Sequence, residues 1–190
     1  MAHQHFKLFK PYGYLSQFMS NAKHERNKKF LGDLFNFPDG TMAIGRLDKD
    51  SEGLLLLTTD GKISSEITSS KIEKEYYVQV DGEISDKALE TLSAGVPISY
   101  NKETYMTKPC EAVRLESTPS LPVRHKRIRD DRHGPTSWIA ITITEGKFRQ
   151  VRKMTAKVGF PTLRLVRVRI GKIKLDDLQM GEVRSLTSLI

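Results

Sequence analysis

Residues 45–61 read GRLDKDSEGLLLLTTDG, which is a polar turn, an apolar run and a second turn. The run at residues 53–59 shows no alternation of polar and apolar positions, and this pattern predicts a strand that is buried on both faces. The turn at Asp60-Gly61 then leads into a short predicted helix that ends at Ser69. A strand of this kind must be covered on both sides by other elements of the chain.

The rest of the chain is predicted to be α+β, with a mixed and mostly antiparallel sheet. Strands and helices follow one another without the regular rhythm that is typical of α/β proteins. Further strands are predicted at residues 3–9, 41–44, 76–80, 137–144 and 163–170, with an extended segment at 104–115. Further helices are predicted at residues 28–35, 85–93 and 148–158.

The composition is that of one globular protein, with 38% hydrophobic and 28% charged residues over 190 positions. The longest apolar run, at residues 54–57, is too short to cross a bilayer, and the chain does not open with a signal peptide. Cys110 is the single cysteine, which rules out an internal disulfide and suits a reducing compartment. The five histidines have no zinc-ligand spacing. We therefore expect a single domain over residues 1–190 that acts in the cytoplasm without a membrane or a metal.

The positive charge is concentrated in one part of the chain. The net charge is +8, and between Gly146 and Lys174 there are ten basic residues and no acidic one. Such a segment attracts polyanions, because phosphate contacts dominate the affinity of basic proteins for nucleic acids. A solvated basic surface without a partner is the alternative interpretation.

Two segments are predicted to present this charge. The strand at residues 163–170 alternates basic and apolar residues, which predicts one core face and one basic face. The irregular segment at residues 117–135 is either a flexible basic loop or a clamp that orders on RNA. The cations predicted to contact RNA here are Arg164, Arg167 and Arg169 in the strand, and Arg124, Lys126, Arg127 and Arg129 in the loop.

Asp48 is the first candidate for chemistry, because it lies in a tight turn between two short strands. A carboxylate in such a turn is placed for nucleophilic or general-base work, although a loop-stabilising role explains it as well. Asp50 is a rival in the same loop. Asp60 is another, but its place before a helix is explained by a turn or a cap.

The other candidates are aromatic and basic. Tyr76 and Tyr77 open a strand, so one faces the core and the other the opposite surface. A tyrosine there could stack on a base, and ordinary core packing is the alternative interpretation. In the predicted helix at residues 148–158, three cations (Arg149, Arg152 and Lys153) fall on one side. They suit phosphate binding, or one arginine could pair with the carboxylate of Asp48 and keep it ionised.

Taken together, these motifs resemble the RsuA-like ribosomal RNA pseudouridine synthases. The resemblance is carried by Gly45-Arg46-Leu47-Asp48 with the run that follows, by Lys74-Glu75-Tyr76, by Glu145-Gly146 with residues 149–154, and by residues 9–13. The four motifs occur in the family's order and span nearly the whole chain. Residues 136–138 and 154–165 are similar to a branch that acts on large-subunit RNA. The opening motif begins at residue 9, so we expect no N-terminal S4-type RNA-binding module.

The resemblance implies a fold, a reaction and site residues. The fold is the pseudouridine synthase catalytic domain, in which helices flank the sheet and a central cleft separates two lobes. Asp48 is then the catalytic carboxylate, Tyr76 stacks on the uracil and Arg152 pairs with Asp48. Arg46 helps to hold RNA whose target base is flipped out, and Leu165 forms an apolar wall of the uracil pocket. The isomerisation needs no cofactor.

The partner expected from this resemblance is ribosomal RNA, either 23S rRNA or an assembling large subunit, and the protein is expected to be a monomer. Two other functions remain open at this point. A non-catalytic assembly factor that binds rRNA would explain the charge but not the Asp48 turn together with Tyr76. A glycoside-cleaving hydrolase would need two carboxylates in a set geometry, for which Asp48 and Asp50 are candidates.

Overall fold

The computed structural model describes residues 2–25, 27–69 and 71–189. The chain divides into two compact units, one formed by Met1–Ile72 with Arg167–Ile190 and the other by Glu73–Val166. Within each unit, strands outnumber helices, and the strand ladders described below are antiparallel. The predicted α+β class with a mostly antiparallel sheet is thereby confirmed.

The described elements are three α-helices, eleven strands and three short 3-10 turns. The helices are α1 (Gly61–Ser69), α2 (Asp86–Ala94) and α3 (Gln150–Lys157). The strands are β1 (His5–Lys10), β2 (Met42–Ile44), β3 (Glu52–Thr58), β4 (Lys74–Asp81), β5 (Pro97–Tyr100), β6 (Glu103–Met106), β7 (Glu111–Arg114), β8 (Thr136–Ile143), β9 (Thr162–Ile170), β10 (Ile173–Lys174) and β11 (Val183–Leu186). The 3-10 turns are Lys23–Glu25, Leu31–Asp33 and Asp131–His133.

The first unit is organised around β3. β1 pairs with β3 from His5 opposite Thr58 to Lys10 opposite Gly53, and β11 pairs with the other edge of β1. β2 pairs with the end of β3. All seven residues of β3 are buried, which confirms the strand predicted to be buried on both faces. The leucines on one face pack with Phe6, Leu8 and Leu31, so the apolar run that defines this strand also builds the core of the unit.

The second unit is built on β4, β8 and β7. β8 pairs along its whole length with β4, and β7 pairs with its other edge. Helix α2 packs near β7 and begins as predicted, because the Ser85 hydroxyl accepts a hydrogen bond from the Ala88 N–H at 3.2 Å. β5 and β6 form a separate hairpin whose two turn residues, Asn101 and Lys102, both have positive φ.

The predicted helix at residues 28–35 is wrong, since only the 3-10 turn Leu31–Asp33 forms there. The Leu31 N–H donates to the Gln17 carbonyl at 2.8 Å, and the Gly32 N–H donates to the Phe18 carbonyl at 3.1 Å. These bonds to a distant segment take the donors that a longer helix would use. Gly32 lies so close to this segment that a Cβ atom would come within 2.5 Å of the Phe18 carbonyl oxygen.

We predict that Gly32→Ala destabilises the protein by about 1–3 kcal/mol, because the added methyl group meets a backbone carbonyl that cannot move without breaking the pairing. The matched control is Gly146→Ala, since a Cβ atom at Gly146 meets nothing within 4 Å. The control should change the free energy of unfolding by less than about 0.5 kcal/mol. Urea unfolding of both variants measures this difference, and equal midpoints would contradict the close approach.

Candidate active site

Asp48 lies in the turn that joins β2 to β3, and the backbone of this turn is held from the segment at residues 13–16. The Ser16 hydroxyl accepts a hydrogen bond from the Leu47 N–H at 2.9 Å and donates one to the Leu47 carbonyl at 2.8 Å. The Gly13 N–H donates to the Lys49 carbonyl at 2.7 Å. Both neighbours of Asp48 in the chain are therefore fixed, and the carboxylate is placed by a rigid backbone.

The turn separates buried from accessible side chains. Leu47 is buried and anchors the turn in the unit, whereas Arg46 is exposed and Asp48 is half-buried. Within the turn, the Ser51 N–H donates to the Asp48 carbonyl at 3.0 Å. The backbone of Asp48 is thus held while its side chain is half-buried, which suits a nucleophilic carboxylate.

A buried lysine lies beneath the turn. Lys10 ends β1, is fully buried, and donates hydrogen bonds to the carbonyls of Pro11 at 3.0 Å and Tyr14 at 2.6 Å. Burial lowers the pKa of its amine to about 7, although the nearby carboxylates of Glu52, Asp50 and Asp48 oppose this shift. The charge on Lys10 therefore changes near neutral pH, close to the candidate nucleophile.

Arg167 supports the turn from β9. Its Nε donates to the Leu54 carbonyl at 2.8 Å, and its Nη1 lies 3.5 Å from the Arg46 carbonyl. Its Nη2 is buried and has no hydrogen-bond acceptor within the described part of the chain. Arg167 thus links Leu54 of β3 to Arg46, which lies two residues before Asp48.

The interpretation of β9 as a strand with an exposed basic face is wrong for two of its three arginines. Arg164 and Arg167 are only 6% and 4% exposed. Arg164 donates to the Pro122 carbonyl at 2.7 Å, and Arg167 makes the bonds described above. Burial does not alternate along the strand, since residues 164–167 are all buried, and the guanidinium groups of Arg164 and Arg167 satisfy backbone carbonyls in the interior instead of facing solvent. Arg169 is half-buried and donates to the Gly171 carbonyl at 3.0 Å.

The second unit contains the other candidates. Tyr76 is buried in β4 opposite Ile141, and Leu165 is buried in β9. Tyr77 is half-buried, as the alternation of the strand predicts. Arg152 is half-buried on α3. Val151 and Met154 turn toward the interior, which confirms the predicted core face of this helix.

Helix α3 begins two residues later than predicted. Arg149 is its N-cap and has a φ of 52°, in the left-handed region. The Gln150 side chain accepts a hydrogen bond from the Lys147 N–H at 3.1 Å, and the Gln150 N–H donates to the Lys147 carbonyl at 3.1 Å. This closed turn places Arg149 outside the helix, so Arg149 does not share a regular helical face with Arg152 and Lys153.

The basic loop at residues 124–132 uses part of its charge internally. Arg124 donates to the Lys126 carbonyl at 2.6 Å, and Arg129 pairs with Asp81 and donates to the Gly134 carbonyl at 3.2 Å. Lys126 and Arg127 are exposed. Arg124 and Arg129 therefore hold the shape of the loop, and two further arginines pair with Asp130, Arg127 at 3.3 Å and Arg132 at 2.7 Å.

Comparison with known proteins identifies the family. Residues 4–157 match the RNA pseudouridylate synthases. The ribosomal large subunit pseudouridine synthase E of Xanthomonas campestris pv. campestris is 45% identical over 179 residues, which cover 93% of this chain and 92% of that protein. The synthase of the same name from Vibrio parahaemolyticus is 44% identical over 93% of this chain and 71% of that protein. The chain belongs to the RNA pseudouridylate synthase family.

A solved structure agrees with this assignment. A crystal structure of a pseudouridylate synthase is 30% identical, with a TM-score of 0.75, and covers 98% of this chain and 71% of that one. The resemblance to RsuA-like ribosomal RNA pseudouridine synthases is therefore confirmed. The branch indicated by residues 136–138 and 154–165 is that of the two relatives named above.

Membership of this family agrees with what the described residues contain. Across residues 2–25, 27–69 and 71–189, the longest and most apolar helix falls short of what a membrane crossing requires. The same residues hold no group of three histidine, cysteine or acidic side chains that could bind a metal ion.

We predict that Ser16→Ala slows pseudouridine formation by about tenfold while it raises the KM for RNA by less than twofold. The variant loses both hydrogen bonds to Leu47, so the Asp48 carboxylate spends less time in its reactive position. The control is Ser20→Ala, which also removes a serine hydroxyl that accepts a backbone N–H, that of Ala22, but does not touch the turn. Steady-state kinetics on an rRNA fragment measure both variants, and equal rates for the two would contradict a positioning role for Ser16.

We also predict that Lys10→Met changes how stability depends on pH. In the folded protein the Lys10 amine has a pKa of about 7, against 10.5 for the free side chain, so between these values the unfolded chain binds more protons. The contribution of this group to the free energy of unfolding therefore rises with pH in this window, by up to about 1.4 kcal/mol per pH unit. Lys10→Met should lack this rise. Urea unfolding at about pH 7 and pH 9 tests it, and parallel changes in the two proteins would exclude it.

Proposed function

We propose that this protein isomerises a uridine of large-subunit ribosomal RNA to pseudouridine, with Asp48 as the nucleophilic carboxylate. The observation that carries the proposal is the Asp48 turn, whose backbone is held by hydrogen bonds from Ser16, Gly13 and Ser51 and in which Asp48 is half-buried. The choice of large-subunit RNA is supported by the names of relatives that are 43–45% identical to this chain.

The reaction conserves every atom of the uridine. The bond between N1 and C1′ breaks, the uracil turns, and a bond forms between C5 and C1′, while the proton on C5 is lost and N1 gains one. Asp48 acts by attack at C1′, by attack at C6, or by assisting formation of a glycal, and each route returns the carboxylate unchanged. The target base must leave the stacked helix first, because the glycosidic bond is otherwise out of reach.

Other residues are assigned roles on the strength of the family resemblance. Tyr76 stacks on the uracil and takes part in removal of the C5 proton. Arg152 stabilises the ionised Asp48, Leu165 contacts the uracil, and Arg46, which is exposed beside Asp48, binds the RNA backbone. We expect the enzyme to act in the cytoplasm as a monomer.

The structure changes which cations we propose as RNA contacts. Arg164 and Arg167 are buried against backbone carbonyls, so their role is to shape the protein. Lys126 and Arg127 in the loop remain candidates because they are exposed. The half-buried cations also remain candidates: Arg124, Arg129, Arg149, Lys153 and Arg169. Phosphates bind to accessible cations, since a buried guanidinium already engaged with the backbone gains little from a further partner.

We predict that Asp48→Asn lowers pseudouridine formation by more than about 1000-fold while the affinity for RNA changes by less than about threefold. The substitution keeps the size of the side chain and removes only the nucleophilic oxygen. Release of tritium from C5-labelled uridine in 23S rRNA measures the reaction, and a filter-binding assay measures affinity.

Asp50→Asn and Asp60→Asn are the controls, and both should remain active. Asp60 accepts hydrogen bonds from the N–H groups of Lys62 at 2.9 Å and Ile63 at 3.3 Å, which confirms that it caps α1. Equal loss in Asp50→Asn would move the nucleophile to Asp50. A wild-type protein that binds 23S rRNA without forming pseudouridine would favour the assembly factor instead, and release of free uracil would favour the hydrolase.

A further inference from the structure

An aromatic and basic cluster on the second unit has no role in the proposed chemistry. It is formed by Tyr100 and Tyr105 of the β5–β6 hairpin together with Lys147, Phe148 and Lys153 around the start of α3, and we refer to it as the aromatic platform. Phe148 is 66% exposed. A single exposed apolar side chain is ordinary, but an exposed ring with the ammonium group of Lys153 held over it, next in the chain to a second positioned lysine, is not.

The two lysines of the platform are held in place. The Lys147 Nζ lies 4.9 Å from the ring centroid of Tyr100 and 4.9 Å from that of Tyr105. The Lys153 Nζ donates to the Ser99 carbonyl at 2.7 Å and lies 5.3 Å from the Phe148 ring centroid. Both ammonium groups are thus fixed beside aromatic rings, although lysine side chains on a surface are ordinarily mobile.

The buried carboxylate of Glu145 holds Tyr105 of the platform and, through Gln150, the backbone of Lys147. Glu145 accepts hydrogen bonds from the Tyr105 hydroxyl, from the Lys108 N–H at 2.9 Å and from the Gln150 side chain at 2.8 Å. Burial alone would raise the pKa of Glu145, but these three bonds together lower it, so the carboxylate stays ionised. Gln150 in turn holds the backbone of Lys147. Tyr105 and the backbone of Lys147 are therefore preorganised, which reduces the entropy lost when a ligand binds.

The charge of the platform selects the kind of ligand. Residues 97–106 and 145–153 contain five basic residues and two acidic ones, and one of the acidic residues is Glu145, whose oxygens are already engaged. An exposed aromatic face flanked by cations fits a nucleobase with its phosphates, because bases stack on rings and phosphates bind ammonium groups.

We propose that the aromatic platform binds an unpaired nucleotide of the substrate RNA, with its base stacked on Phe148 and its flanking phosphates against Lys147 and Lys153. This inference rests on the proposed function, since the nucleotide would adjoin the target uridine. Arg152, which we assign to the reaction, lies in the first turn of α3, four residues after Phe148 in the chain. The platform thus adds a preference for single-stranded RNA to a surface that otherwise recognises phosphates.

The test compares two RNA probes in the Asp48→Asn background, in which the RNA is not modified during the measurement. One probe is a fluorescein-labelled oligouridylate of about ten nucleotides, and the other is an RNA duplex of about ten base pairs with the same label. Phe148→Ala should weaken binding of the oligouridylate by about tenfold and binding of the duplex by less than twofold, because only an unpaired base can stack on the ring. The salt dependence of binding should not change, since no phosphate contact is lost.

Two further variants separate stacking from other contacts. Phe148→Leu keeps an apolar side chain but removes the aromatic face, so it should resemble Phe148→Ala. Lys153→Ala should reduce the slope of log affinity against log salt by about 0.7 for the single strand. Met106→Ala is the control, because Met106 is an exposed apolar residue of the same hairpin, and it should bind both probes like the parent.

Several outcomes would overturn the proposal. Unchanged affinity of Phe148→Ala for the oligouridylate, equal loss for the two probes, or full affinity in Phe148→Leu would each exclude base stacking. Unchanged RNA binding combined with a loss of self-association in sedimentation would instead identify the platform as a contact between protein copies. Failure of the proposed function would be seen separately, as a wild-type protein that forms no pseudouridine while Phe148→Ala still weakens binding.

Discussion

The burial of β3 on both faces is the constraint on which the first unit depends. A strand without a polar face has to be enclosed, and here β1, β2 and the cluster around Phe6 and Leu31 enclose it. Because β3 follows directly from the Asp48 turn, this enclosure also fixes where the carboxylate leaves the core. The bond from Arg167 to the Leu54 carbonyl ties the two together. The residues that stabilise the core around β3 therefore also determine the position of Asp48.

The same region contains charges that a purely structural core would avoid. Lys10 and Glu52 are fully buried, and a buried charge costs several kcal/mol unless other groups compensate for it. The low pKa of Lys10 shows that the compensation is incomplete, since its amine gives up a proton near neutral pH. Perturbed groups of this kind are concentrated at functional sites. The place of Lys10 near Asp48 supports the assignment of this turn to chemistry instead of loop stabilisation.

How much of this could be predicted from the sequence depended on whether the deciding interactions were local. β3, α1, α2 and the Ser85 cap follow from the hydrophobic pattern and from turn residues, and the structure confirms them with shifts of about a residue. The helix at residues 28–35 was wrong because Gln17 and Phe18 take its backbone donors, and no local pattern reveals that pairing. Helix α3 begins later than predicted, after a turn in which the Gln150 side chain accepts a hydrogen bond from the Lys147 N–H. For the site, the Asp48 turn was predicted from its motif, but Ser16, Lys10 and the aromatic platform were missed, since each acts through a contact across the fold.

The buried and internally bonded arginines show that the number of basic residues in a sequence exceeds the number that can contact RNA. Between Gly146 and Lys174 the chain has ten basic residues, yet Arg164 and Arg167 are buried against backbone carbonyls. In the preceding loop, Arg124 and Arg129 are also used internally. A guanidinium has five N–H donors, so one arginine can bind several backbone carbonyls from segments that lack regular pairing. These arginines therefore stabilise irregular backbone. Lys126, Arg127 and Arg46 are among the exposed cations, and a cation that binds phosphate does not by itself distinguish one base or strand from another. The proposed stacking of a base on Phe148 would add a distinction between paired and unpaired RNA.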